Sequence, residues 1–203
     1  MDELRALTEQ LSSYIPSSAA PSIASQLIDL NVQLTVAKPR VSKLGDFRPP
    51  GKVPYAKISV NGDLNPELFL AVLLHELAHL NVYNRYRNSV KAHGKEWRKA
   101  HFDILYTYQY AFSAEVFELL IKHAQRNKSA TLHHPDILYS KLFKDHNEGG
   151  VLLRDLKENE AFSLRMKTYR ILQKKRTRFL CIQLKTGKKY LISGAAIVQP
   201  ISD

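Results

Sequence analysis

Apolar positions recur at spacings of three and four near the start of the chain, as Leu4, Leu7, Leu11 and Tyr14-Ile15, then as Ile23, Leu27 and Leu30 with Ile28 alongside. That rhythm predicts helices over 3–15 and 20–30, separated by the breaker run Pro16-Ser17-Ser18-Ala19-Ala20-Pro21. The period then shortens to two. Val32, Leu34 and Val36 alternate with polar neighbours until Pro39 interrupts, which predicts a strand. Val41–Phe47 and Tyr55–Val60 are two further strand candidates, divided by Pro49-Pro50-Gly51. Asn61-Gly62-Asp63 is a turn signature that closes the last of these strands.

Beyond that turn the pattern predicts a long helix. An Asn65 cap and Pro66 in the first turn open it, and Glu67 through Leu80 contain neither glycine nor proline. It is apolar nearly all round, the mark of a buried central helix. Further helices are predicted over Lys95–Tyr110 and Ser113–Gln125, then a polar connection over Arg126–Pro135 and a short helix over Asp136–Phe143. After Gly149-Gly150 the pattern turns to short strands, at Thr168–Leu172, Arg178–Leu184 and Lys189–Ile192. The last two join as a hairpin through Lys185-Thr186-Gly187-Lys188.

The chain has 203 residues, 44% hydrophobic and 24% charged, the composition of a globular protein of one domain with a small appendage. The longest apolar run, Leu68–Leu74, stops at His75 and Glu76, far short of the roughly 18 residues that span a bilayer. The opening Met1-Asp2-Glu3-Leu4-Arg5 lacks the layout of a secretory signal. Cys181 is the single cysteine, which excludes an internal disulfide framework and a cysteine-rich zinc site. A cytoplasmic protein without membrane partners is the expectation.

Net charge is +11, and residues 154–203, with 12 basic and 4 acidic side chains, carry +8 of it. Such asymmetry points to a polyanionic partner, nucleic acid first.

The chemistry lies in His75-Glu76-Leu77-Ala78-His79. Histidines four apart on a helix share a face and lie about 6 Å apart along it, so two ring nitrogens can converge on one cation. The intervening carboxylate can then move a proton between a metal-activated water and a leaving amine. This is the zincin arrangement. A catalytic zinc wants three protein ligands and an open position. The metzincin spacing is absent, because Val82 and Arg85 stand where Gly and the third His would fall. Third-ligand candidates are His93, Glu96, His101 and Glu115. His93 is the best placed, since the following Gly94 lets the backbone come close. His101 and Asp103 are candidates to support the ligands from behind, but a surface or capping position is the first expectation for each. Tyr83, Arg85, Tyr86 and His101 are candidates for an oxyanion donor.

His75-Glu76-Leu77-Ala78-His79 followed by His93-Gly94-Lys95-Glu96-Trp97 resembles the SprT-like (Spartan-like) metalloprotease family. Lys43-Leu44-Gly45-Asp46-Phe47-Arg48 is similar to that family's Leu-Gly-x-aromatic strand before the zinc helix. The likeness spans about residues 32–102. It implies that His75, His79 and His93 bind one catalytic zinc ion and that Glu76 is the catalytic acid/base. It also implies protein or peptide substrates associated with nucleic acid, as in the repair of DNA–protein crosslinks or in transcription elongation. Many relatives end in a zinc ribbon with paired cysteines, which this chain lacks.

The expected architecture is therefore α+β. A zincin-like domain over 1–147 holds a central buried zinc helix and a small three-stranded sheet. A basic β-hairpin appendage over 148–203 is a degenerate zinc ribbon without metal. Lys174, Lys175, Arg176, Arg178, Lys188 and Lys189 are the expected nucleic-acid contacts, DNA before RNA, by neutralising phosphates. The rival expectation is a nucleic-acid-binding protein whose zinc domain is structural or vestigial, without protease activity.

Overall fold

Helix α3, Pro66–Tyr86, organises the first part of the molecule. In the computed structural model, which describes residues 2–40, 43–126, 150–164, 167–176, 178–194 and 196–201, it starts as its sequence predicts. Asn65 Oδ1 accepts from Leu68 N at 2.8 Å, and Pro66 needs no hydrogen-bond acceptor for its nitrogen. Leu68 through Ala78 are all buried, so apolar packing on every side holds this helix.

Around it stand α1 (Asp2–Leu11), α2 (Ala20–Asp29), α4 (Lys95–Thr107), a 3-10 turn at Gln109–Ala111 and α5 (Ala114–Arg126). Strands β1 (Val32–Ala37), β2 (Gly45–Arg48) and β3 (Ala56–Asn61) form a sheet in the order β1-β3-β2. β1 runs parallel to the central β3, with Val32 beside Ala56, and β2 runs antiparallel to it, with Gly45 beside Val60. This is the small three-stranded sheet the sequence predicts. α1 ends at Leu11, short of the expected boundary, yet Ile15 is fully buried and the Tyr14 ring lies 5.5 Å from that of Phe69. The apolar rhythm marks packing beyond the helix itself.

An arginine clamp fixes the approach to β2. Arg40 donates from Nε to Asn61 Oδ1 at 2.8 Å and from Nη1 to Ser59 Oγ at 3.0 Å. Asn61 is buried and donates from Nδ2 to the carbonyls of Arg40 and Lys43. These bonds satisfy polar groups at the sheet end and set where Gly45 begins.

The chain divides into two compact units, Met1–His133 and His134–Asp203. The helix expected over Asp136–Phe143 lies outside the described residues, as does the polar connection from residue 127 onward.

The second unit is more than the expected hairpin. Strands β4 (Val151–Leu152), β5 (Ala161–Leu164), β6 (Lys167–Lys174), β7 (Arg178–Gln183), β8 (Lys189–Ser193) and β9 (Ile197–Ile201) form one sheet ordered β4-β9-β5-β6-β7-β8. β5 to β8 make an antiparallel meander, and β9 returns to pair with β5. Leu153, Phe162, Tyr169, Ile171, Phe179, Cys181 and Val198 fill its core. That closed set of apolar contacts explains how the unit holds together without cysteine pairs.

No helix among the described residues is long and apolar enough to cross a membrane.

Candidate metal centre

His75 and His79 lie one turn apart on α3, and His93 comes from the loop before α4. The structure brings the three together. His93 Nε2 lies 3.0 Å from His79 Nε2 and 3.2 Å from His75 Nε2, and among the described residues these three form the one group positioned to share an ion. Ligand nitrogens on a tetrahedral zinc at 2.0–2.1 Å are about 3.3 Å apart by geometry, so the donor set fits that ion. Glu96, the other nearby candidate, is not in the group, and neither are His101 and Glu115.

His93 has φ 56°, a left-handed conformation that an L residue adopts at a cost and that concentrates at functional sites. Gly94 serves the close backbone approach its sequence position suggests. Its φ is −68°, but a Cβ there would lie 2.9 Å from the Lys91 carbonyl oxygen. Glycine allows the close approach, and His93 itself takes the strained turn.

Trp97 packs against all three imidazoles. It is 1% exposed, and its ring centroid lies 4.6 Å from those of His75 and His93 and 5.2 Å from that of His79. His101 stacks on Trp97 at 4.6 Å and 27° and meets the His75 ring edge-on at 5.4 Å. That overturns the surface or cap position expected for His101, which is buried because it lies one helical turn from Trp97, on the face that α4 turns inward. Asp103 does stay at the surface, bridged to Lys99 at 2.8 Å. On the opposite side, Phe47 of β2 stacks on His79 with rings 6.3 Å apart and nearly parallel, and Tyr83 packs against Phe47.

Glu76 is buried beside this cluster. Burial pushes its carboxyl up to about 8, with the Asp46 charge adding to the effect while Arg40 and Lys43 oppose it. Asp46 itself is held below its usual range. Burial raises it, but hydrogen bonds from Lys43 and Arg48 outweigh that. Burial and the neighbouring His93 lower His79 to about 4. Burial, then His123, His79 and His93, lower His101 to about 3. Both imidazoles are thus neutral near pH 7, the form in which histidine binds a metal.

The six cations expected to contact nucleic acid do not form one patch. Lys174, Lys175, Arg176 and Arg178 surround the turn between β6 and β7, whereas Lys188 and Lys189 lie at the other end of β7. That strand has six residues, about 20 Å at 3.3 Å each. Arg170 shares a cross-strand row with Lys189 through Ile182, a pairing that sequence distance conceals.

Three contacts at the centre have no counterpart in the sequence pattern: Gly45 closing on Glu76, Phe47 on His79, and Trp97 on all three imidazoles. The available signal was the Leu44-Gly45-x-Phe47 strand, whose residues gain meaning once β2 lies against α3.

Among models of known families, that of the SprT-like family matches residues 54–118. No curated protein matches the chain, and no solved structure does.

Proposed function

We propose that the chain, SprT-like over residues 54–118, is a zinc-dependent peptidase acting on proteins associated with nucleic acid. His75, His79 and His93 hold the ion, and Glu76 is the catalytic acid/base. The reading rests on one observation: three Nε2 atoms at ligand spacing, flanked by a buried carboxyl. Bound there, zinc would act as a Lewis acid on a carbonyl and lower the pKa of a coordinated water.

The chain's own residues do the rest. Trp97 and Phe47 fix the ring planes of the ligands, so little ordering is left to the moment of reaction. Three protein ligands leave one position open for substrate. Glu76 takes a proton from the attacking water and delivers it to the leaving amine. Its burial suits that work: it raises the proton affinity of the carboxylate, so the ionised form is the stronger base toward the water and, once protonated, the acid for the amine. A structural zinc site has no use for such a group, which favours catalysis over the rival reading of a nucleic-acid-binding protein with a structural or vestigial metal domain.

The +8 charge of residues 154–203 supports the nucleic-acid association. DNA is favoured over RNA, with DNA–protein crosslinks or transcription complexes as the source of substrates and the cytoplasm as the place of action. The test is cleavage of a basic DNA-binding protein with and without single-stranded DNA. Wild type should cleave and be silenced by a chelator, while Glu76→Gln should keep zinc and lose activity. Cleavage by Glu76→Gln at the wild-type rate would refute the acid/base role. Salt-sensitive DNA binding with no cleavage of any substrate would favour the rival.

A further inference from the structure

Strand β8 ends the second sheet, and among the described residues only β7 pairs with it. Its five residues are Lys189-Tyr190-Leu191-Ile192-Ser193. Leu191 is 53% exposed, the larger exposure of the two big apolar side chains on this strand that reach solvent. The carbonyl of Ser193 accepts from Ala196 N at 3.0 Å, so the open stretch of this edge is Lys189–Leu191, which offers backbone donors and acceptors to another strand together with unburied side chains.

The register shows what such a strand would meet. Arg170, Ile182 and Lys189 form one cross-strand row, and Leu180 and Leu191 form the next. Arg178 lies opposite Ser193. These residues face away from the core, because their neighbours Tyr169, Ile171, Phe179 and Cys181 face into it. The outer face at this edge is thus an apolar step, Leu180 to Leu191, between two cationic rows. On the other face, Tyr190 turns back onto Tyr169 with rings perpendicular at 5.8 Å, and Ile192 packs on the core.

We propose that β8 is a docking edge for an extended acidic polypeptide segment, which adds to the sheet as a further strand. Opposite Lys189 it carries an acidic residue, opposite Leu191 an apolar one, and two positions further, where the strand leaves the edge beside Arg178, a second acidic one. The positions between, facing Tyr190 and Ile192, are apolar. Charge decides the occupant. A second copy would bring two segments of +8 together and repel, whereas an acidic strand is attracted to the same edge. A nucleic acid would match the cations but leave Leu180 and Leu191 without apolar contact. The inference does not depend on the peptidase reading.

The probe is a fluorescein-labelled peptide with the core Asp-Val-Leu-Val-Asp, which presents the same pattern in either strand direction. It is titrated with the full-length chain by fluorescence anisotropy. Saturable one-to-one binding is expected, at least tenfold tighter than for Lys-Val-Leu-Val-Lys and weaker at high salt. Leu191→Lys should weaken it at least tenfold with the circular dichroism spectrum unchanged. Lys189→Glu should shift preference toward the Lys-containing peptide. Equal affinity for the two peptides, or undiminished binding by Leu191→Lys, would overturn the proposal. So would a chain that dimerises through β8 in place of taking the peptide, or an oligonucleotide that binds with the same Leu191 dependence when the peptide does not.

Discussion

Gly45 and Glu76 meet so closely that a methyl group on residue 45 would collide with the carboxyl oxygen Oε1 and lie 2.7 Å from Val72 Cγ1. The strand thereby forms one wall of the slot in which Glu76 sits. Gly45→Ala should push the carboxylate aside without touching any ligand. Overpacking of this kind costs about 1–3 kcal/mol, and a misplaced acid/base near 1 Å can cost about a hundredfold in rate. The expected result is normal zinc content, a lowered Tm and a large fall in kcat/KM. Unchanged kcat/KM would show that the slot does not position Glu76.

From the titrations of Glu76, His79 and His101, the metal-free protein should be most stable near pH 6.5. Glu76 holds its proton to about 8 in the fold against 4.5 ordinarily. Between those values the unfolded chain releases a proton that the folded one keeps, and stability falls as pH rises. His79 and His101 work in the other direction. They stay neutral down to about 4 and about 3, against an ordinary 6.5, so stability falls as pH drops below about 6.5. In chelator, Glu76→Gln should remove the decline on the alkaline side and steepen the fall between pH 6.5 and 4.5, where Glu76 partly offsets the two histidines. Thermal melts from pH 4 to 8 test this, and parallel curves for the two proteins would contradict it.

Trp97 touches the rings of all three ligands and of His101. Removing its indole should cost about 3–5 kcal/mol of stability, as for other buried aromatic truncations. Groups that orient metal ligands are also worth about 10–100-fold in affinity. Trp97→Ala should thus bind zinc more weakly than Trp97→Phe in competition with a chelator. Equal affinities would confine Trp97 to a packing role.

Cys181 is fully buried in the second core, where burial pushes its thiol up to about 11. At pH 8 the thiolate that reacts with disulfide reagents is scarce and shielded. Labelling by such a reagent should be slow in buffer and complete in denaturant. Rapid stoichiometric labelling of the folded protein would mean that this core opens readily.

The parts of the site legible in the sequence are the local ones. His75 and His79 share a face because any helix places i and i+4 together, and Asn65-Pro66 announces where that helix starts. Gly45 and Glu76 come from different elements, so their contact depends on how β2 lies against α3, which no local spacing encodes. The polarity of His101 predicts a surface position, but Trp97 one turn earlier sets that face inward. In the second unit, the Lys185–Lys188 turn reveals the β7–β8 hairpin. β4 has two residues, and β9 carries Pro200 and pairs with the distant β5, so neither shows a period long enough to detect. The basic residues look continuous along the chain and are split by the register.

Zinc per chain, measured by elemental analysis on the purified wild type and on His75→Ala, His79→Ala and His93→Ala, is the most direct test of the three-histidine centre. One equivalent is expected in the wild type and a marked loss in each variant, with circular dichroism confirming that the helices remain. Full occupancy in His93→Ala would contradict the assignment, because the loop before α4 would then hold no ligand.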